Sequence, residues 1–157
     1  MRRPTLLTLL LLATLPAPAQ DKPAEAAKPP YDAALAQRLG ADERGMKRYV
    51  FVILKTGPKA DLPKDERDKL FTGHMVNLNR LADEGKLVVA GPLFKNDRQY
   101  EGIFVFNVGT VKEAETLLAT DPAVAGGALA FEAYAWYSSA ALMEVTPIHK
   151  RIDKTNR

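Results

Sequence analysis

The segment KLVVAGPLFKNDRQYEGIFVFNV, residues 86–108, contains two strand-like runs: KLVVAGPLF at 86–94 and GIFVFNV at 102–108. Their β-branched and aromatic residues favour extended backbone, and the polar residues around Asn96 and Asp97 are typical of a loop. A connection this short predicts an antiparallel hairpin. The hairpin decides the fold, because a helix and a further strand are predicted on each side of it.

The flanking elements follow from hydrophobic periodicity and from start and stop residues. In chain order they are a short helix between Asp32 and Gly40, a strand over KRYVFVILK (47–55), a helix that Pro63 opens and Gly85 closes, a helix capped by Thr110 and Glu113, and a strand over ALAFEAYAWY (128–137). The order of strand, helix, strand, strand, helix, strand predicts an α+β protein: a ferredoxin-like βαββαβ unit with a four-stranded antiparallel sheet.

Both faces of this sheet are apolar. In the first strand Tyr49, Phe51 and Ile53 alternate with Val50, Val52 and Leu54. Two helices cover only one face of such a sheet, so the other face also needs a cover. A second copy of the sheet would provide it, which predicts a homodimer with the sheets packed face to face. The alternative is that the N-terminal helix and the tail ALMEVTPIHKRIDK cover this face within one chain.

The first 19 residues are typical of a secretory signal. Arg2 and Arg3 precede the apolar run LLTLLLLATL, and Ala17 and Ala19 fit a small-x-small cleavage site. The run is shorter than the roughly 20 residues that a membrane span needs. We therefore expect a periplasmic or secreted protein with no membrane association after cleavage. The expected divisions are a signal at 1–19, a tether and short helix at 20–45, the folded domain at 46–142 and a tail at 143–157.

Charge and cysteine content exclude several functions. The formal net charge is +3, and losing Arg2 and Arg3 with the signal lowers it to +1. The remaining basic residues alternate with acidic ones, which argues against a nucleic-acid partner. There is no cysteine, so disulfides, thiolate catalysis and thiolate metal ligands are excluded. We expect no metal and no cofactor.

One of the two histidines, His74, lies on an apolar helix face. Leu70, His74, Leu78 and Leu81 recur at helical spacing, so the imidazole is expected to be buried against the sheet. Gly73 beside it costs about 1 kcal/mol relative to Ala in mid-helix, which indicates close backbone approach or an opening beside the ring. The alternative is a core histidine that donates to a backbone carbonyl. The other histidine, His149, is expected to be solvated in the tail.

A carboxylate candidate precedes a proline: Asp121 before Pro122 fits an N-cap followed by the first helical residue. Capping alone accounts for the pair, but a carboxylate there can also accept a hydrogen bond from an imidazole and orient it. The candidates for ligand contact lie at two strand ends: Gly91 and Pro92, then Trp136, Tyr137 and Ser138. The aromatic members are also typical of interface filling.

The motifs GH…LADEGKLVVAGPL…GIFVF…EAETLLATDPAV…AYAWY, in this order over residues 47–142, resemble the YCII-related domain family. The resemblance implies the dimeric α+β barrel fold and an active-site pair formed by His74 and Asp121. It also implies a small-molecule substrate, since one branch of the family resembles dehydrochlorinases of chlorinated aromatic rings. This chain has Ala135 where members often carry proline.

Two functions from different classes fit these residues, and a third, structural interpretation treats the dimer itself as the functional unit, with the tether of residues 20–30 attaching it to an envelope partner. In the first, His74, oriented by Asp121, abstracts or relays a proton on a small aromatic or cyclic molecule, in an elimination, isomerisation or hydrolysis. The enzyme class would then be a cofactor-independent lyase or hydrolase. In the second, a non-catalytic periplasmic dimer binds the molecule without changing it. Both functions predict the same pocket, so they stay open at this point.

Overall fold

A computed structural model describes residues 29–155, and the compact unit begins at Asp32. The signal and most of the tether predicted from the sequence lie outside the described residues. The elements are α1 (Ala33–Leu39), β1 (Met46–Thr56), α2 (Lys64–Asp83), β2 (Leu87–Pro92), β3 (Tyr100–Phe106), α3 (Val111–Leu118), α4 (Pro122–Ala125), β4 (Leu129–Ser139), a 3₁₀ turn (Ala140–Glu144) and α5 (Val145–Ile152). None of these helices has the length and apolar content to cross a bilayer.

The four strands form one sheet in the order β2-β3-β1-β4, with every neighbouring pair antiparallel. In the centre, Phe51 of β1 pairs with Val105 of β3 on one side and with Tyr134 of β4 on the other. The α+β class, the four-stranded antiparallel sheet and the ferredoxin-like order predicted from the sequence are confirmed.

Helices α2 and α3 cover one face of the sheet. The core on this face joins alternate strand residues to apolar helix residues, and its most buried members include Val50, Val52, Phe106, Leu81 and Leu118. The side chain of Thr110 accepts a hydrogen bond from the backbone N–H of Glu113, and the carboxylate of Glu113 accepts one from the backbone N–H of Thr110. The capping box predicted from the sequence therefore fixes the start of the second crossover helix.

The second face is covered in part by the same chain. Tyr49, Val88 and Val105 are buried at one end of this face, with Leu142 and Met143 of the 3₁₀ turn packed against them. Farther along, Phe51 and Ile53 are half-buried, and Tyr134 and Trp136 are exposed. The C-terminal segment of the same chain therefore covers only part of the second face. The homodimer remains a prediction for the part that this segment does not cover.

The C-terminal segment is more ordered than the charged tail expected from the sequence. It forms the 3₁₀ turn and then α5, which contacts β2 at the edge of the sheet. Pro147 is tolerated because it lies in the first turn of α5, where a backbone N–H has no partner within the helix. This segment extends the folded domain beyond residue 142.

Candidate active site

The two predicted catalytic side chains lie side by side in the structure. His74, on the sheet-facing side of α2, and Asp121, at the N-cap of α4, are both buried. His74 Nδ1 is 2.7 Å from Asp121 Oδ2. The other oxygen, Asp121 Oδ1, accepts a 2.9 Å hydrogen bond from the backbone N–H of Ala123. The carboxylate therefore caps α4 and holds the imidazole at the same time.

This pairing determines the tautomer of His74. An ionised carboxylate only accepts hydrogen bonds, so Nδ1 carries the hydrogen and Nε2 of the neutral ring keeps its lone pair. Nε2 has no hydrogen-bond partner among residues 29–155. Every fully buried side-chain nitrogen and oxygen in the same residues does have one. Nε2 is therefore not sealed in the core, and it is available to a ligand.

Two aromatic rings fix the plane of the imidazole. Phe104 of β3 stacks on His74 with ring centroids 5.9 Å apart and an interplanar angle of 24°. Phe71, one turn earlier on α2, lies 5.7 Å away at 59°. Such contacts restrict ring rotation, so the Asp121 hydrogen bond and the two phenyl rings together hold Nε2 in one direction.

Gly73 allows α2 and α4 to approach each other closely. A Cβ added at Gly73 would lie 2.9 Å from Cγ and 3.1 Å from Cβ of Pro122. The first distance is shorter than real Cβ contacts and the second is tight, so a side chain at this position would displace Pro122 at the start of α4. The sequence indicated either close approach or an opening beside the imidazole, and the structure shows close approach.

A polar network secures the segment that carries Asp121. Asn77, buried one turn beyond His74, accepts hydrogen bonds through Oδ1 from Arg80 Nη2 at 2.8 Å and from Thr120 Oγ1 at 3.2 Å. Thr120 is the residue before Asp121. The network therefore fixes the Asp121 turn to the same helix that presents His74.

A cavity of about 650 Å³ opens beside this pair, within the range of small-molecule sites. Its walls are α2, the β2–β3 end of the sheet and α5, and they are mostly apolar, with Phe71, Leu78 and Phe104 next to the imidazole. Besides His74, the polar side chains on the wall are those of Asn79, Glu101, Thr146 and His149. A cavity of this composition suits a compact, largely apolar molecule with few polar groups.

The other predicted contact residues divide between two places. Gly91 and Pro92 line the cavity with His74. Trp136, Tyr137 and Ser138 lie on β4, at the opposite edge of the sheet, and do not line it. Trp136 packs on the second face against Tyr49 and Phe51, with centroid distances of 6.2 and 5.8 Å. Ser138 pairs with Lys47 in the β1–β4 register.

Tyr137 belongs to a separate hollow that Asp42 and Arg48 also line. Its hydroxyl donates a hydrogen bond to the Asp42 carboxylate. This bond raises the pKa of Tyr137 and lowers the pKa of Asp42. The hollow is not continuous in its lining with the cavity beside His74, so the two groups of predicted contact residues do not form one site.

Among the cavity residues that were not predicted from the sequence as site residues are Phe71, Phe104 and His149. Phe71 precedes His74 by three residues on α2, a spacing that places both on one helix face. His149 was expected to be solvated, and its side chain is indeed 65% exposed, but it also lines the cavity. Within residues 29–155, no group of three or more histidine or acidic side chains is arranged to hold a metal ion.

The fold and the site together define an α+β domain with an imidazole–carboxylate pair on the wall of a small-molecule cavity. The sequence model of the YCII-related domain matches residues 49–136, more than half of the chain. The protein therefore belongs to the YCII-related domain family, as the motifs indicated.

Among solved structures, the chain is similar to 5-chloro-2-hydroxyhydroquinone dehydrochlorinase from Burkholderia phenoliruptrix, solved in complex with 2,5-dihydroxybenzoquinone. The two sequences are 19% identical, the TM-score is 0.40, and the match covers 55% of this chain and 92% of that one. No curated protein matches the chain.

Proposed function

We propose that this protein is an exported small-molecule enzyme in which His74 transfers a proton and Asp121 orients it. The observation that carries the proposal is the 2.7 Å contact between His74 Nδ1 and Asp121 Oδ2 on the wall of the cavity. It leaves the basic nitrogen Nε2 available to a bound molecule, and a positioned imidazole of this kind is the commonest general base in proteins.

The chemistry follows from the two protonation states of the ring. Nε2 takes a proton from a carbon or oxygen atom of the substrate, and the electron pair of the broken bond forms a new double bond as a leaving group departs or as the proton returns elsewhere. The same nitrogen can instead deprotonate a water molecule for hydrolysis. Asp121 stays ionised and stabilises the imidazolium, as a buried carboxylate partner does in other imidazole-based sites.

The apolar walls support this role. Phe71, Phe104 and Leu78 surround the imidazole, so few water molecules compete with the substrate for Nε2. The low polarity also strengthens the attraction between Asp121 and the imidazolium that forms during the reaction. Elimination, isomerisation and hydrolysis all fit this arrangement.

The proposal includes export and a dimer. Export to the periplasm or the medium is supported by the apolar run and cleavage site in residues 1–19. A homodimer is supported by the uncovered part of the second face, where Phe51 is paired with Tyr134 and contacts Trp136, and all three are at least partly exposed.

The test begins with mass spectrometry of the molecules that co-purify with the processed protein, followed by an activity screen on their chemical class. His74→Ala and His74→Gln are then compared with the unaltered protein at equal folded concentration. We expect the turnover to fall by about 10²–10⁴-fold in both variants, with cooperative unfolding retained. Full turnover in His74→Gln would refute the proposal, and retention of one unaltered compound without turnover would favour the non-catalytic binding function instead.

A further inference from the structure

The segment after the matched family domain forms part of the cavity wall. The family match ends at residue 136, whereas α5 spans Val145–Ile152. Val145, Thr146 and His149 of α5 all line the cavity that contains His74. Their spacing places them on one side of the helix. The site is therefore built from the matched residues and from a helix that lies beyond them.

Three side-chain bonds attach α5 and the residue before it to the rest of the domain. Thr146 Oγ1 donates a 3.0 Å hydrogen bond to the backbone carbonyl of Val88 on β2. Lys150 Nζ lies 2.6 Å from the carboxylate of Asp83 near the end of α2, and Glu144 lies 2.5 Å from Arg38 of α1. The first two attachments join α5 to β2 and α2, two of the other elements that line the cavity.

Both histidines of the chain thus line a single cavity, although 75 positions separate them in sequence. Their surroundings differ. His74 is held by Asp121, and its side chain is 9% exposed, whereas the His149 side chain is 65% exposed, and its Nε2 lies 3.9 Å from Asp153 Oδ2. That separation exceeds a hydrogen bond. His149 lines the cavity and most of its side chain is exposed, so the ring is accessible to a bound molecule.

We infer that His149 is a ligand-binding residue, and that the cavity takes a small molecule with an apolar body and two polar groups. One group is placed at His74 Nε2, and the other is a hydroxyl or carboxylate bound by His149. A neutral imidazole offers both a donor and an acceptor, and its protonated form offers two donors, so both oxygen functions suit it.

The lining between and around the two imidazoles limits the ligand further. Glu101, the acidic side chain on the wall, already accepts a 2.5 Å hydrogen bond from Thr56 Oγ1. The other neighbours of the cavity are mainly aliphatic and aromatic, so a highly polar metabolite would leave its groups without partners. A hydroxylated or carboxylated ring meets these conditions. This inference rests on the proposed function only in requiring that the cavity bind a small molecule.

The test uses the processed protein with labelled histidine, because two histidines give two imidazole spin systems that single substitutions assign. The probes are 4-hydroxybenzoate and the longer 3-(4-hydroxyphenyl)propionate, each with two polar groups, and phenol and benzoate, each with one. We expect at least one two-group probe to shift the imidazole signals of both His74 and His149. Comparison of phenol with benzoate shows which oxygen function His149 binds.

The variants are His149→Ala and, as a matched control, Ile148→Ala, which truncates an exposed neighbour on α5 that does not line the cavity. His149→Ala is expected to weaken the two-group probe by about tenfold, the loss of one hydrogen bond to a polar group, while Ile148→Ala leaves its affinity unchanged. Thermal unfolding checks that both variants fold.

The outcomes separate this inference from the proposed function. If a probe shifts His74 but not His149, or if His149→Ala binds as tightly as the unaltered protein, the inference is wrong and the role of the cavity stands. If none of the probes shifts either histidine, both are refuted for this class of ligand. If both histidines respond but no turnover is found in the later screen, the binding role of His149 stands without the enzyme.

Discussion

Asp121 holds His74 with one carboxylate oxygen and begins helix α4 with the other, at 2.7 and 2.9 Å respectively. Because both oxygens are hydrogen-bonded, the carboxylate has little rotational freedom. A movement of α4 is therefore transmitted directly to the imidazole. The position of the proton on His74 depends on the packing of a four-residue helix against α2.

Asp121→Asn separates the two roles of this carboxylate. The amide oxygen can still cap α4, but the amide nitrogen then faces Nδ1 and donates to it, which places the imidazole hydrogen on Nε2. We expect the turnover to fall by about 10²–10⁴-fold with near-normal stability. Imidazole ¹⁵N shifts report the change of tautomer directly. Unchanged shifts and unchanged turnover would remove Asp121 from the mechanism.

Gly73→Ala tests the contact between α2 and α4. The added methyl group meets Pro122 at about the 2.9 Å separation described above, and overpacking of this kind costs about 1–3 kcal/mol, which equals or exceeds the gain of about 1 kcal/mol in helix propensity. We expect a net loss of about 0–2 kcal/mol in the free energy of unfolding, measured by urea denaturation. Turnover should also fall as His74 and Asp121 move apart.

The matched control for Gly73→Ala is Val76→Ala, on the exposed side of the same helix. It raises helix propensity without a close contact, so its free energy of unfolding should be equal or slightly higher. Equal stability gains in the two variants would show that α4 yields freely and that the glycine has no packing role.

Asn77→Ala removes the acceptor shared by Arg80 and Thr120. Arg80 keeps its bond to Glu84, and the single hydroxyl hydrogen of Thr120, shared between Asn77 Oδ1 and the carbonyl of Leu117, can go to Leu117 alone. The expected loss is therefore about 1–2 kcal/mol in the free energy of unfolding. Asn77→Asp keeps the acceptor oxygen and should recover most of the loss. An equal loss in both variants would assign the effect to burial rather than to the network.

Tyr134→Asp tests the proposed dimer. Tyr134 is half exposed on the second face, so a single chain tolerates the change, whereas a face-to-face dimer would bury two additional carboxylates close to Glu132. We expect sedimentation to give the mass of one chain for the variant and of two chains for the unaltered protein. Val76→Asp, on the exposed side of α2, should leave the dimer intact. Trp136 is the single tryptophan, so its emission should shift to the red when the dimer separates.

The capping box of α3 predicts an acid-sensitive contribution to stability. Hydrogen bonds from the side chain and the backbone N–H of Thr110 lower the pKa of Glu113. The stabilisation by ionised Glu113 is therefore present above the pKa of the unfolded chain, about 4.3, and is lost as the pH falls through the lower folded value. Glu113→Gln should be less stable than the unaltered protein at neutral pH, and the difference should shrink below about pH 4. A difference independent of pH would contradict this origin.

The fold could be predicted because each element carries its own local signal. The strands are β-branched and aromatic runs, Thr110 and Glu113 form a recognisable cap, and the order of elements leaves few topologies. The ends of the strands differ from the predicted ends by one or two residues, because a strand end depends on how far its partner strand extends beside it. At Ser139, for example, β4 continues because its partner Met46 extends β1.

The site could be predicted only in part. His74 was singled out by its place among leucines, but its contact with Asp121 depends on the fit between Gly73 and Pro122, which no local pattern specifies. His149 could not be assigned to the cavity because α5 gains its position from Thr146 and Lys150, whose partners Val88 and Asp83 lie far away in sequence. Trp136, Tyr137 and Ser138 lie on β4 at the other edge of the sheet, and the order of the strands is known only from the assembled sheet.

The ion pair between Arg38 and Glu144 joins the segment before the family domain to the segment after it. A shortened protein limited to residues 46–142 would lose both Arg38 and Glu144. It would also lose α5, which is one wall of the cavity beside His74. It would also leave Tyr49, Val88 and Val105 more exposed, because Met143 packs against these residues. The two flanking segments are therefore bonded to each other, and removal of either one deletes a contact that the other makes.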